Sequence, residues 1–259
     1  MAIGFRGADT AVNGINSITP TVNANQVVGD MMILIAGGKG FDLGWSVTTS
    51  GWTALGRGQS GTTVAGVDTG SMAMQVWYKE ATVDPETNPT VTEGTPTWNV
   101  AAAWIIVFSK GAGEVWSTPT VVYGADETSG TSISATMSAN NDVTGGDYVI
   151  ASLVSNTDVL SPYTTDVTAT QTGVTFGTWT ARQDNLTTAG GDMSWDNSTA
   201  SVTAGPSSAA AVLSATGTAS GGADRSELGY IRLRVTTGAA ATSLAFPPRQ
   251  RRLASLIVR

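Results

Sequence analysis

The sequence predicts an all-β protein: a two-sheet antiparallel β-sandwich, jelly-roll-like, with extended N- and C-terminal arms. Three observations predict it. Short runs rich in Val, Ile, Trp and Met are separated by polar turns, and 31 glycines punctuate 259 residues, the signature of many short strands. Residues 71–82, SMAMQVWYKEAT, place Met72, Met74, Val76 and Tyr78 on one face and Ala73, Gln75, Trp77 and Lys79 on the other, the period of two that a sandwich strand requires. Several elements of the first half recur, in order, in the second. Charged residues are only 13% of the chain and hydrophobic ones 41%, enough for a packed core.

Residues 1–24, beginning MAIGFRGADTAVNG, read as the N-terminal arm. Gly29 and Asp30 then turn the chain into an apolar strand, Met31–Ala36, which Gly37 and Gly38 end. SGWTALGR (50–57) is a second candidate strand, and residues 61–70 a loop. The alternating run 71–82 follows, then the loop DPETNP (84–89), with Trp98 at a strand edge. AAAWIIVFSKG (101–111) is the most apolar run; a helix is open on propensity, but the Trp-Ile-Ile-Val-Phe cluster favours a buried central strand.

In the second half, GGDYVIASLVS (145–155) repeats the Gly-Asp-apolar pattern, and GTWTARQD (177–184) echoes SGWTALGR. GDMSWDNSTAS (191–201) takes the place of SMAMQVWYKEAT, and SSAAAVLSATG (207–217) the place of AAAWIIVFSKG. Two small tandem β-domains and one sandwich both fit this pattern. No Pro/Gly/Ser-rich linker separates the halves, so residues 25–224 read as one sandwich. Residues 225–259 form a C-terminal strand, RSELGYIRLRVTT, and a basic arm in which Pro247 and Pro248 stop regular structure.

The absence of Cys and His excludes thiolate and histidine nucleophile systems, zinc sites built on those ligands and stabilisation by disulfides. The first residues lack the basic and apolar regions of a secretory signal, and no apolar run approaches the ~18 residues of a membrane span; synthesis in the cytoplasm is expected. The net charge of −7 is uneven: residues 1–224 carry six basic and nineteen acidic side chains, residues 225–259 seven arginines and one glutamate. The acidic body repels nucleic acid. Gly56–Arg57–Gly58 lacks the GK[ST] ending of a phosphate loop.

Asp84, Glu86, Asp126, Glu127, Asp192 and Asp196 read as solvated loop acids rather than a catalytic pair. Asp184, Asp192 and Asp196 offer ligands for calcium, without the spacing of an EF-hand loop; no metal, cofactor or catalytic residue is assigned. The eight tryptophans fill core or cover sheet edges, or stack on sugars; Trp52 and Trp77 are the candidates for a glycan surface. Trp52, Arg57, Trp179 and Arg182 are candidate structural corners, the two arginines bracing loops or facing a neighbouring subunit. Phe5, Arg6, Arg249, Arg251, Arg252 and Leu256, on the two arms, are the candidate interface.

Taken in order, VGDMMILIAGG, SGWTALGR, WYKEA (77–81), AAWIIVFSKG, GGDYVIASLVS, GTWTARQD and SSAAAVLSATG resemble a loose group of β-sandwich proteins from tailed phages and prophages. The resemblance covers roughly residues 25–217. It implies a non-enzymatic virion protein, a capsid cement or decoration protein whose partner is the major capsid protein, forming a homo-oligomer of the trimer type on the capsid surface. The alternative is a tail- or fibre-associated carbohydrate- or receptor-binding module. No catalytic residue is implied, and residues 225–259 lie outside the resemblance.

Overall fold

The computed structural model describes residues 3–14, 17–39, 44–61, 71–93, 100–128, 130–138, 142–156, 163–187, 193–217 and 225–238. Every regular element among them is a strand. The first half holds β1 (Gly4–Ala8), β2 (Val12–Gly14), β3 (Ser17–Ile18), β4 (Met31–Lys39), β5 (Trp45–Val47), β6 (Thr53–Ser60), β7 (Met72–Glu80), β8 (Val91–Glu93) and β9 (Val100–Ser109). The second holds β10 (Glu114–Trp116), β11 (Thr120–Asp126), β12 (Ser132–Thr136), β13 (Tyr148–Ser155), β14 (Thr165–Gln171), β15 (Thr175–Phe176), β16 (Thr180–Thr187), β17 (Met193–Ala204), β18 (Ala211–Thr216), β19 (Ser226–Leu233) and β20 (Val235–Thr237).

The expected two-sheet antiparallel sandwich is present, one sheet from each half. The first runs β1-β9-β4-β7-β6, with β2 also on β9; the second runs β11-β19-β13-β17, with β15 and β16 both on β17. Each sheet carries a smaller three-stranded sheet on its outer face, β3-β8-β5 in the first half and β12-β18-β14 in the second. A core lies under each small sheet, and a third, shared core lies between the large ones. Strand alternation assigns the side chains: Met31, Ile33 and Ile35 of β4 enter the shared core, while Met32, Leu34 and Ala36 face the small sheet. A strand buried on both faces reads as a continuous apolar run, which is why β4 and β9 are so apolar.

Eight strands of the first half have a counterpart, in the same order and pairing, in the second. β1 and β11 border β9 and β19; β4 and β13 are central; β6 and β16 flank β7 and β17; β3, β8 and β5 match β12, β18 and β14. Even the irregularities recur: the ladder slips between Ala54 and Gly56 on β7, and between Ala181 and Gln183 on β17. The Gly-Asp turns recur too. Gly29 N–H donates to the Ala81 carbonyl and Gly146 N–H to that of Val202, each at 2.8 Å, with φ of 89° and 95° that favour glycine.

The two large sheets stack as a self-complementary dimer would. Arg182 of β16 lies on Phe5 of β1, Trp195 of β17 stacks on Trp104 of β9, Val154 of β13 abuts Gly37 of β4, and Tyr123 of β11 bonds to Gly56 of β6. Met74 of β7 meets Gly229 of β19. Each strand thus faces the counterpart of the strand its own counterpart faces, with β4 over β13 at the middle, the arrangement of an isologous interface within one chain.

Three expectations are corrected. SSAAAVLSATG does not match AAAWIIVFSKG: it forms β18, the counterpart of β8, in an outer sheet. The counterpart of β9 is β19, since Met31 of β4 pairs with Phe108 and Tyr148 of β13 with Leu233. The C-terminal strand read in RSELGYIRLRVTT is present, but it belongs to the sandwich rather than lying outside it, with β19 hydrogen-bonded between β11 and β13. Residues 4–8 and 12–14, read as part of an arm, pair with β9; they satisfy the backbone groups that an uncovered β9 edge would leave open. Hydrogen-bonded pairing among the described strands stays within each half, but the shared core joins the halves into one sandwich.

Candidate functional site

Three glycines of SGWTALGRGQSG, Gly56, Gly58 and Gly61, belong to the seam between the halves. Tyr123 lies across β6 with its hydroxyl donating to the Gly56 carbonyl at 2.7 Å. A Cβ at Gly58 would sit 2.6 Å from the Tyr123 ring and closer still to the Glu227 carboxyl. Only a missing side chain lets the rings and strands approach this closely. Burial, with the charge of Glu227 adding to it, raises the Tyr123 phenol.

At the opposite seam, the Arg182 guanidinium stacks 3.6 Å from the centroid of Phe5, and its Nε donates to Thr199 Oγ1 at 2.8 Å. Gln183 reaches the carbonyl of Asp9. A cleft of about 270 Å³ opens here, between residues 8–11 and 182–185. Two predicted residues from different categories, Phe5 and Arg182, are thus partners within the chain. Arg6 is also engaged internally: its Nε contacts Asp30 Oδ2 at 2.6 Å. Arg234 grips Asp147 with two bonds of 2.7 Å in the second half. Both aspartates are buried and accept the N–H three residues upstream, from Val27 and Thr144, so each guanidinium fixes a turn that starts a central strand.

Arg57 and Arg182 are not equivalent, despite the shared Trp-Thr-Ala. Ala54 pairs opposite Trp77 and Ala181 opposite Ser198, which aligns Arg182 with Leu55, and Arg57 with Asp184. Arg57 donates to Gln59 Oε1 at 3.1 Å on its own strand. The tryptophans do correspond. Trp52 packs under the first small sheet and Trp179 against the second, 5.3 Å from Phe176. Trp77 is buried beneath the first small sheet and offers no glycan surface. Arg249, Arg251, Arg252, Leu256, Trp98 and Asp192 lie outside the described residues.

The reading of the acids as solvated fails at three positions. Glu86 is buried: it contacts Lys79 Nζ at 2.6 Å and accepts Thr82 N–H at 2.6 Å. Burial alone would raise its carboxyl, but the Lys79 contact and the Thr82 and Val83 donors hold it below the usual value. Asp126 is buried and accepts the N–H groups of Thr128 and Ser134. Asp196 sits on β17 with no exposure; Val167 N–H donates to its Oδ2, and its Oδ1 has no partner among the described residues. Burial pushes it up to about 8, with Asp166 and Asp184 adding to the rise. Asp184, directly opposite on β16, takes the N–H of Tyr163 at 3.1 Å. Together these two carboxyls satisfy backbone donors of the segment entering β14, where the ladder with β18 slips. Glu227, facing the shared core, is pushed up to about 9 by burial. Polar strands such as MSWDNSTA are read as surface when hydropathy alone is weighed, yet Met193 to Ala200 are all buried. Among the described residues no group of three or more His, Cys, Asp and Glu is disposed to hold a metal.

A second cleft, of about 530 Å³, lies on the second small sheet. Trp179 and Asp166 border it, and Ser132, Thr165, Thr168, Ser214 and Thr216 supply its floor together with Ala215. These hydroxyls come in rows, because register puts Ser132, Thr216 and Thr165 abreast and Ser134, Ser214 and Thr168 abreast. The sequence signal was present in SISAT, VLSAT and TDVTAT, whose Ser and Thr alternate with buried apolar residues.

The chain matches no protein-family model, no curated protein and no solved structure. What it does must be argued from its own residues. No helix of the described residues is long and apolar enough to cross a membrane.

Proposed function

We propose that the protein is a structural, non-catalytic virion component: a decoration protein on the outer capsid surface, made in the host cytoplasm and attached as a trimer to the major capsid protein. The observation that carries the reading is the separation of charge. Residues 239–259 hold four arginines and no acid, and residues 1–238 nine basic and twenty acidic side chains. The arginines Arg225, Arg232 and Arg234 belong with the acidic body: Arg225 pairs with Glu127 at 2.9 Å and Arg234 with Asp147. The cationic and apolar residues left over, Arg249, Arg251, Arg252 and Leu256 among them, form one segment at the end of a stiff body. Such a segment suits attachment to an acidic shell: tethering three copies to neighbouring subunits multiplies weak contacts into avidity, and binding only the assembled shell stabilises it by mass action.

The reading is supported by the resemblance to tailed-phage sandwich proteins and by a body in which Asp30, Glu86, Asp126, Asp147 and Asp196 each accept a backbone N–H. Its test is co-sedimentation with assembled shells of the major capsid protein. Full-length protein is expected to pellet with the shells, and a chain ending at residue 238 to stay in the supernatant while melting at the same temperature. Equal pelleting of both chains would overturn the role given to the basic segment.

A further inference from the structure

We infer that the cleft beside Trp179 is a binding site for a neutral pyranose glycan. This site is independent of capsid attachment, which is assigned to the far end of the chain. At about 530 Å³ the cleft has the size of small-molecule sites. Its walls specify the ligand chemistry. Trp179 is half-buried, anchored from behind by Phe176, and its remaining surface borders the cleft. A ligand must therefore present an apolar face to an aromatic ring whose edge is fixed. The floor is hydroxyl: on β18 Thr216 projects outward between Ser132 and Thr165, and Ser214 between Ser134 and Thr168, while their neighbours Leu213 and Ala215 point into the core. Hydroxyls both donate and accept, and strands ~4.8 Å apart set them in a grid that a polyol can read. Asp166, exposed at the rim, can accept from two adjacent ligand hydroxyls.

The same inventory excludes other ligands. Among the described residues no Lys or Arg borders the cleft, so a phosphate, a sialic acid or a nucleic acid meets a carboxylate with no described cation to neutralise it. Among the described residues the apolar lining is Trp179 and Ala215, too little for a lipid or a hydrophobic peptide anchor. A sugar ring has C–H faces and a hydroxyl rim, and it fits both halves of the site. The first half provides an internal contrast. Its matching tryptophan, Trp52, packs under a small sheet whose described strands are two or three residues long, and its indole Nε1 is buried with no partner among the described residues. Both halves carry the tryptophan, but among the described residues β12, β14 and β18 are longer than β3, β5 and β8.

The test is binding of the full chain to an immobilised array of bacterial and plant oligosaccharides, neutral and acidic. Retention on one or more neutral pyranose glycans is expected. Ser214→Arg, which fills the cleft from an exposed position without touching the core, should reduce retention at least tenfold with an unchanged melting temperature. Trp179→Phe should weaken it several-fold, and Trp52→Phe should leave it intact. Retention only on acidic glycans, retention on none, or retention indifferent to Ser214→Arg would each overturn the assignment.

Discussion

Replacing Gly37 by alanine tests the stacking of the two halves at its midpoint. In a strand interior alanine is ordinarily better than glycine by about 0.5–1 kcal/mol, because glycine loses more backbone freedom on folding. Here the sign should reverse. The new methyl carbon would lie 3.1 Å from Val154 Cβ and 3.3 Å from its Cγ2, with Cγ1 nearer still. Both residues belong to fully buried central strands, so neither can swing away, and overpacking of this kind costs about 1–3 kcal/mol. Val154→Ala alone removes two buried methyl groups, about 1.6 kcal/mol by transfer at ~0.8 each, with a cavity contribution on top. Were the sites independent, the double variant would lose the sum. If Val154 packs on Gly37, the added methyl enters the space that the valine vacates, and the double variant should be no less stable than the worse single one. The cycle should then show a favourable coupling of about 1–3 kcal/mol. Urea unfolding with unchanged slopes provides the four stabilities. Additivity within about 0.5 kcal/mol, or a stabilising Gly37→Ala, would refute the packing of β4 against β13.

Further consequences can be measured on the same body. Asp196 and Glu227 keep their protons in the folded chain up to about pH 8 and 9, whereas the unfolded chain releases them near pH 4. In that window the folded state holds more protons, so stability falls as pH rises, by about 1.4 kcal/mol per pH unit for each group. Asp196→Asn, which keeps an acceptor for Val167, should flatten the stability profile between pH 5 and 7.5 by about that slope; an unchanged profile would show that Asp196 is ionised in place. Arg234→Gln should cost about 1–3 kcal/mol in chemical denaturation, because it leaves the buried Asp147 carboxylate without its cation, and Asp147→Asn in the same chain should recover part of the loss. Trp104→Ala should cost about 3–5 kcal/mol, since it opens the stack on Trp195 and strips Asn197 Oδ1 of its donor.

Much of this architecture is legible in the sequence. The Gly-Asp turns and the apolar runs mark β4, β9 and β13, since strands buried on both faces must be apolar throughout. The alternation of SMAMQVWYKE marks β7, and the Trp-Thr-Ala echo correctly pairs β6 with β16. Legibility ends where tertiary contacts override local pattern. SSAAAVLSATG looks like AAAWIIVFSKG because both are alanine-rich, but composition does not carry register, and the true counterpart holds Gly229 where β9 holds Trp104. That exchange is a packing solution: Trp104 faces Trp195, while Gly229 leaves room for Met74. The glycines of β6 resemble a turn until Tyr123 and Glu227, from 65 to 170 residues further along, are placed on them. Buried Asp126 and Asp196 escape notice because the donors to them include backbone N–H groups, which leave no trace in side-chain sequence. The cleft beside Trp179 required the register of three strands that are distant in the chain.

The central structural claim is that two repeated halves are fused through one shared core, making a single body that carries the cleft beside Trp179. Native-state hydrogen exchange tests it most directly, through the amides of Ile33 and Ile35 on β4 and of Ile150 and Val154 on β13. If the core is shared, both sets should open only in global unfolding, with the same free energy and the same denaturant slope. One set exchanging through a separate, lower-energy opening while the other stays protected would contradict it, and would make the halves two domains that merely touch.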